Sequence, residues 1–256
     1  MKIATWNVNS IKVRLPQVLS WLESNRPDIL AIQELKWQAD DVIQSEMAKI
    51  GFQAACNSQK TYNGVALFTP HQLSHVVCDI PDFADEQKRV IAATIENIRI
   101  INAYCVNGED LASEKFQYKK RWFQALNAYI QNELKQHSSL ILLGDFNIAP
   151  TDLDVDQPEK RRGKILCSDE ERLWFSQLLQ LGLHDSLHTI EPQKSLFTWW
   201  DYRMNGFKRN IGMRIDHILL TPNLMQKTHR FWIDKDARAA ERPSDHAPVM
   251  IEIEAI

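Results

Sequence analysis

Apolar and polar positions divide this chain into stretches with helical and strand-like periods. Lys2–Val8 alternates as a strand, and residues 13–24 then place Leu15, Val18, Leu19 and Leu22 on one helical face. Asn25-Arg26-Pro27 stops that helix. Ile29–Ile32 is short and wholly apolar, which predicts a strand covered on both faces. A second helix is predicted over Asp40–Ile50, with Gly51 placed to end it. Val65–Phe68 follows the Asn63-Gly64 turn as a strand, and Val90–Ile95 and Ile98–Cys105 flank Glu96-Asn97 as a hairpin.

A long helix from Glu114 to Gln136 should bury Trp122, Leu126, Ile130 and Leu134, and Leu140–Leu143 reads as another buried strand. Beyond a loop at 151–167, Ser168 and Glu171 form a capping box for a helix that ends at Gly182. Ser168 is therefore read as a cap and not as a catalytic group. Leu196–Trp200, Ile215–Leu220 and Val249–Ile253 complete the strands, the last with Val249, Ile251 and Ile253 on one face. Helices mixed with hairpins exclude a purely parallel sheet and predict an α+β fold, two packed sheets with helices outside.

At 256 residues the chain suits one large sheet-based domain, residues 1–256, because no low-complexity run or Gly/Ser linker divides it. No stretch reaches the roughly 18 apolar residues of a membrane span, and no secretion-signal pattern follows Lys2. Cys56, Cys78, Cys105 and Cys167 form no CxxC pair, which argues against zinc or a disulfide framework and fits a reducing cytoplasm. The net charge of −3 argues against a protein that simply coats nucleic acid, but not against an enzyme acting on it. Basic residues still gather locally: Lys115, Lys119, Lys120 and Arg121; Lys160, Arg161, Arg162 and Lys164; Arg203, Lys208, Arg209 and Arg214. Each cluster alone reads first as a solvated face.

Candidate chemistry emerges from where polar residues fall against the strands. Asn7 and Asn9 close the first strand, Glu34 the next, Tyr104 and Asn107 a third, and Asp145 and Asn147 a fourth. Asp216 opens a strand, and Asp245-His246 immediately precede another. Asp and Asn often end strands because they favour turns, so each alone reads as structural. Their coincidence at six strand ends points to one shared edge. That edge would hold carboxylates, amides, one Tyr and one His, with no Ser or Cys nucleophile in a recognisable context. Hard oxygen donors select Mg²⁺ or Mn²⁺ over Zn²⁺. A carboxylate and a histidine beside such a metal suit attack of water on a phosphodiester.

The strings WNVNSI, LAIQELK, YNGVAL, YCVNG, LLGDFNIAP, FTWWDYR, RIDHILL and RPSDHAP resemble, in order from Trp6 to Pro248, the exonuclease III family of the endonuclease–exonuclease–phosphatase superfamily. GDFN with a distant SDH is shared across the superfamily, deoxyribonuclease I and inositol-phosphate phosphatases included. Its combination with WNVNSI, LxxQE, YCVNG and RIDHIL is much more specific to the DNA-repair branch. The resemblance implies a four-layer α/β sandwich like deoxyribonuclease I, with two mixed β-sheets face to face, each flanked by helices.

It also implies roles. Glu34 would be the principal Mg²⁺ ligand (Mn²⁺ substituting), with Asn9 and Asp245 close to the metal; some relatives carry Asp where Asn9 stands. Asp145 would orient and deprotonate the attacking water. Asn7, Tyr104, Asn107 and Asn147 would position the phosphate. His246, oriented by Asp216, would stabilise the pentavalent phosphate. Trp199, Met213 and Ile215 resemble the family's pocket for a flipped sugar without its base, while one of Trp199 and Trp200 reads as core. Arg203 resembles the position that reaches into the duplex. After YCVNG this chain has Glu109 and Asp110 where some relatives place an Arg. Leu166, neither charged nor ring-shaped, is expected to leave room for internal cleavage.

The implied activities are 3′→5′ exonuclease, 3′-phosphatase and abasic-site endonuclease. The implied partner is double-stranded DNA with abasic sites or 3′ ends, met by a cytoplasmic monomer with no membrane partner. Three alternatives stay open on sequence: a 3′-end processing enzyme without abasic-site cleavage, a phosphatase of lipids or inositol phosphates, and a catalytically inactive DNA-binding member of the fold. The last should show eroded polar positions, and none of the expected set is missing.

Overall fold

Twelve strands pair into two mixed sheets in the computed structural model, which describes residues 1–254. In chain order they are β1 (Lys2–Asn7), β2 (Ile29–Gln33), β3 (Gln53–Asn57), β4 (Val65–Thr69), β5 (Ser74–Cys78) and β6 (Val90–Ile95). Then come β7 (Ile98–Tyr104), β8 (Leu140–Asp145), β9 (His184–Asp185), β10 (Asp216–Leu220), β11 (Thr228–Ile233) and β12 (Val249–Ile253). The first sheet runs β11-β12-β1-β2-β4-β3 and the second β5-β6-β7-β8-β10-β9. The helices used below are α1 (Ile11–Asn25), α2 (Asp40–Lys49), α3 (Glu114–Gln136), α4 (Pro158–Arg161) and α5 (Asp169–Gln180).

The two inner sheet faces meet through Ile3, Ala31, Leu67, Ile91, Ile100, Ile141, Ile218 and Ile251, all without solvent exposure. Fully burying one such Leu or Ile side chain stabilises by roughly 1.5–3 kcal/mol. α1 and α2 press Val18, Leu22, Ile43 and Met47 onto the outer face of the first sheet, at Ala4, Trp6, Leu30 and Phe68. α3 and α5 press Trp122, Leu126, Trp174 and Phe175 onto Ile101, Leu140 and Leu142 of the second. The result is the four-layer sandwich expected from sequence. The Ser168–Glu171 capping box opens α5 as predicted.

One polar network crosses this core. Gln33 Nε2 donates to Thr5 Oγ1 (2.8 Å) and to Asn102 Oδ1 (2.7 Å). Asn102 Nδ2 in turn donates to the carbonyls of Ile32 and Ala66, at 2.9 Å each. Asn102 belongs to the second sheet and its partners to the first. Sliding one sheet over the other would strand buried amides, at about 1–3 kcal/mol apiece. The network therefore fixes how Glu34, next to Gln33, faces Tyr104, two residues beyond Asn102.

The strands missing from the sequence reading, β3, β5, β9 and β11, are the four sheet edges. Edges carry polar residues and irregular pairing: β5 is SHVVC with His75 at φ 48°, and β11 is THRFWI with a register shift between Thr228 and Arg230. Leu196–Trp200, expected as a strand, is not one. Thr198 and Trp199 both donate backbone N–H to Met213 O, and Trp199 makes only isolated bridges to Met213 and His246. No helix among the described residues is long and apolar enough to cross a membrane.

Candidate active site

Strand direction assembles the site. β1 runs parallel to β2 with Asn7 opposite Gln33, and β7 runs parallel to β8 with Tyr104 opposite Asp145. β10 is antiparallel to β8, which sets its first residue, Asp216, opposite Asp145. The ends of β1, β2, β7 and β8 thus meet the starts of β10 and β12 at one edge. Gly144 makes the close approach possible: its φ is 140°, and a Cβ there would stand 2.0 Å from the Ala103 carbonyl oxygen. Asn9 (φ 44°), Glu34 (φ 59°) and Asn147 (φ 50°) are left-handed. Such backbone costs about 1–3 kcal/mol per residue and persists only where its surroundings over-determine it.

Those surroundings are hydrogen bonds. Asn7 Nδ2 donates both to Asp145 Oδ2 and to Glu34 Oε1, at 2.9 Å each, and so bridges the sheets. The Tyr104 hydroxyl donates to Glu34 Oε1 at 2.7 Å. The Asn147 backbone N–H donates to Asp145 Oδ1 (2.9 Å), and Asn107 Nδ2 donates to Asn147 Oδ1 (2.9 Å). Asp145 is 1% exposed, with fixed donors on both oxygens.

Opposite Asp145 stands His246. Its Nδ1 lies 2.9 Å from Asp216 Oδ2, and its Nε2 lies 3.8 Å from Asp145 Oδ2. Asp216 is fully buried and also accepts from the Thr198 hydroxyl. Burial alone would push the imidazolium pKa down, but Asp216 and Asp145 outweigh it and raise it to about 10. Burial pushes Asp145 up to about 7, and His246 pulls against that rise. Burial pushes the Tyr104 hydroxyl well up, reinforced by Glu34, so it stays a donor.

Two carboxylates remain for a cation. Burial would raise Glu34, yet Lys36, Asn7 and Tyr104 hold it below the usual carboxylate range. Burial would raise Asp245, yet His246, Trp199 and Asn9 hold it low. Asn9 Nδ2 donates to Asp245 Oδ1 (3.0 Å) and Trp199 Nε1 to Asp245 Oδ2 (2.8 Å). The Lys36 ammonium lies 2.6 Å from Glu34 Oε2 and 2.8 Å from Asn9 Oδ1. A positive group already stands between these oxygens, and the donors are all hard, so the residues fit a divalent cation. Asp145, Asp216 and His246 also bring ligand atoms within 4.8 Å of one another. That trio is better explained without an ion, because Asp216 is consumed by His246 and Thr198.

The pocket residues line a cleft of about 490 Å³ that opens onto Glu34, Asp145 and His246. Met213 and Ile215 are 3% and 2% exposed and pack with Leu166 and Trp199. Leu166 (φ 69°) is thus a wall of the cleft. Trp200, with no exposure, is the core member of the tryptophan pair. Arg203 holds its exposed guanidinium against Asp201 at the cleft margin.

Two members of the basic clusters are not surface charges. Lys119 is buried against Glu171, and Arg214 is buried between Asp154 (2.6 Å) and Asp185 (2.7 Å). Helical phase signals the first, because Lys119 shares a face of α3 with Phe116, Trp122 and Phe123. Lys36, two residues after Glu34, and Thr198, inside FTWWDYR, also belong to the site, and no pattern in the sequence marks them.

The Endonuclease/Exonuclease/phosphatase family matches residues 4–246. The chain is 36% identical to exodeoxyribonuclease III of Haemophilus influenzae over 98% of this chain and 99% of that one. Its structure is similar to NExo from Neisseria, described as a 3′ phosphatase and as a 3′–5′ exonuclease and solved with a product DNA hairpin. The TM-score is 0.98 and the identity 49%, over all of both chains. An AP endonuclease from Archaeoglobus fulgidus matches with a TM-score of 0.95 and 35% identity, again over all of both chains.

Proposed function

Because this chain belongs to the Endonuclease/Exonuclease/phosphatase family, we propose that it is a DNA-repair phosphodiesterase that works on 3′ ends and abasic sites of duplex DNA. Its activities are those of exodeoxyribonuclease III: 3′→5′ exonuclease, 3′-phosphatase and abasic-site endonuclease. All three hydrolyse the bond between phosphorus and a 3′ oxygen, so one set of groups serves them.

The observation that carries this reading is Asp145 fixed by donors on both oxygens while facing His246 Nε2 at 3.8 Å. Asp145 holds the water and takes its proton as the oxygen adds to phosphorus. His246, kept protonated by Asp216, lies against the non-bridging oxygens and meets their charge. Asn7, Tyr104, Asn107 and Asn147 position the phosphate and hold it in line, Asn7 and Tyr104 through the carboxylates they fix. The 3′ oxygen leaves and is protonated from solvent. Glu34, with Asn9 and Asp245, would hold Mg²⁺, which supplies positive charge beside the phosphate. Trp199, Met213 and Ile215 would receive the base-less sugar, and Arg203 would enter the duplex beside it. The enzyme acts as a monomer in the cytoplasm.

The test is a parallel assay with Mg²⁺ on a 3′-phosphate duplex, a 3′-recessed duplex and an inositol polyphosphate. Release of phosphate and nucleotides from DNA alone is expected. Turnover of the inositol polyphosphate with inert DNA would reject the reading.

A further inference from the structure

Lys119 has no solvent exposure, and its ammonium has three acceptors: the Asn107 carbonyl (3.0 Å), the Asn147 carbonyl (2.8 Å) and Glu171 Oε1. Glu171, also unexposed, uses its other oxygen to accept from the Ser168 hydroxyl (2.6 Å) and backbone N–H (3.1 Å). Three loops that frame the cleft therefore meet at one buried ion pair. They are the loops after β7, after β8, and before α5, where Leu166 lies.

We propose that Lys119, seated by Glu171, is a positioning residue for the amides of Asn107 and Asn147. The inference rests on the reading that those amides bind the scissile phosphate. Three observations lead to it.

First, the surroundings do not call for a charge. Lys119 sits in the seam between α3 and α5, where Phe116 and Phe123 pack on Trp174 with ring centroids 5.3 and 5.5 Å apart. An apolar side chain would fill this seam without the desolvation that burying an ammonium entails, and burial pushes the Lys119 pKa down.

Second, the ammonium reaches the backbone of both amide-bearing residues. Those two side chains are joined to each other, with Asn107 Nδ2 donating to Asn147 Oδ1 at 2.9 Å. Asn147 also donates its backbone N–H to Asp145. Lys119 thus lies one residue behind the amides and two hydrogen bonds behind Asp145.

Third, the loop closes tightly on the lysine stem. A Cβ at Gly108 (φ 93°) would stand 3.1 Å from Lys119 Cδ. The backbone next to Asn107 is fitted to this side chain.

The decisive variant is Lys119→Met with Glu171→Met, which removes both charges and keeps an apolar seam. Replacing a buried pair in this way is often neutral or stabilising, but here it also removes the donor to the Asn147 carbonyl and the Glu171 half of the α5 capping box, so the melting temperature should fall modestly while the protein stays folded. On a 3′-phosphate duplex kcat should nevertheless fall about ten-fold with KM little changed, since small misplacements at the reacting centre are costly. In an Asn107→Ala/Asn147→Ala background the same double change should cost less than about two-fold, because the groups it positions are gone.

Wild-type kcat in the double variant, or an equal loss in both backgrounds, overturns the proposal. Should the Met pair not fold, Glu171→Gln is compared with Lys119→Gln/Glu171→Gln. The second should be about ten-fold slower than the first, and equal rates overturn the proposal in the same way. A wild-type protein without turnover on this duplex would reject the underlying function. Wild-type turnover with indifferent variants rejects only the positioning role.

Discussion

His246 presents Nδ1 to Asp216 at 2.9 Å and Nε2 toward Asp145 at 3.8 Å, so one imidazole ring separates two buried carboxylates. Asp216 accepts from the ring, keeps it charged, and holds Nε2 toward the space where substrate enters. Asp216→Asn keeps the shape and removes the charge. With it goes much of what raises the His246 pKa to about 10. The alkaline limb of the pH–rate profile should therefore move to lower pH, and kcat should drop on the order of 10²-fold, the low end for a positioned proton-handling group. The measurement is phosphate release from a 3′-phosphate duplex across pH. An unchanged alkaline limb would show that His246 does not depend on Asp216.

The same pair predicts the wild-type profile. As the proposed base, Asp145 would act only when ionised, and burial raises its pKa to about 7, so activity should climb as pH rises through that value. His246, as the proposed stabiliser of the phosphate, would act only while protonated, so activity should fall as pH passes about 10. A bound cation near Asp145 shifts the acid limb downward, because positive charge favours the carboxylate. Asp145→Asn should erase the acid limb and lower kcat by about 10²–10⁴ while DNA binding persists. Near wild-type turnover in that variant would place the base elsewhere.

Much of this site is legible in the sequence alone. Polar residues interrupting apolar strands at Asn7, Glu34, Tyr104, Asp145 and Asp216 fall at one edge because strand direction and register bring them there. Central strands were readable because both faces are buried and apolar. Edge strands such as β5 were not, since half-exposed SHVVC lacks that signature. The charge clusters misled for a related reason. A lysine reads as surface by type, and only its place on the apolar face of α3 tells that Lys119 lies inside. Lys36 was invisible as a site residue because its role depends on the left-handed turn at Glu34, which places the two side chains together.

Metal dependence follows from the oxygen-rich set of Glu34, Asn9 and Asp245. Chelation with EDTA should abolish turnover, and Mg²⁺ or Mn²⁺ should restore it. Glu34→Ala should raise the Mg²⁺ concentration for half-maximal activity, and with Glu34 gone the Lys36 ammonium loses its 2.6 Å partner. Full activity in a metal-stripped sample would reject the site.

DNA affinity should fall steeply with salt in spite of the acidic net charge of −3. Arg161 and Arg203 line the cleft, and Lys160, Arg162, Lys164, Lys208 and Arg209 are exposed nearby in the sequence. Each phosphate contact contributes about one unit to the log–log salt slope. Arg161→Gln should lower that slope by about one unit, whereas Arg214, sealed between Asp154 and Asp185, should contribute nothing to it. Fluorescence anisotropy across a salt series reads both. A flat response would mean that these groups are solvated faces only.

Internal cleavage asks more of the protein than end trimming. On the proposed reading a fraying 3′ end would reach Asp145 by itself, but an abasic sugar within a duplex must be turned out of the stack, at a few kcal/mol. The cleft of about 490 Å³ offers room for it, and Trp199, Met213, Ile215 and Leu166 form its apolar wall. Trp199 cannot swing freely, since its Nε1 is held by Asp245 at 2.8 Å. The wall can be narrowed at Leu166, whose left-handed backbone (φ 69°) aims it at Met213 and Ile215. The wild-type protein should therefore cut 5′ to a tetrahydrofuran residue in a blunt, 3′-blocked duplex, more slowly than it removes a 3′ phosphate. Leu166→Trp should depress that internal cut far more than the 3′-phosphatase rate, because a terminal phosphate does not need the pocket. If the wild-type enzyme trims a recessed 3′ end rapidly yet leaves the lesion strand whole, the pocket does not admit the sugar and the protein is a 3′-end processing enzyme.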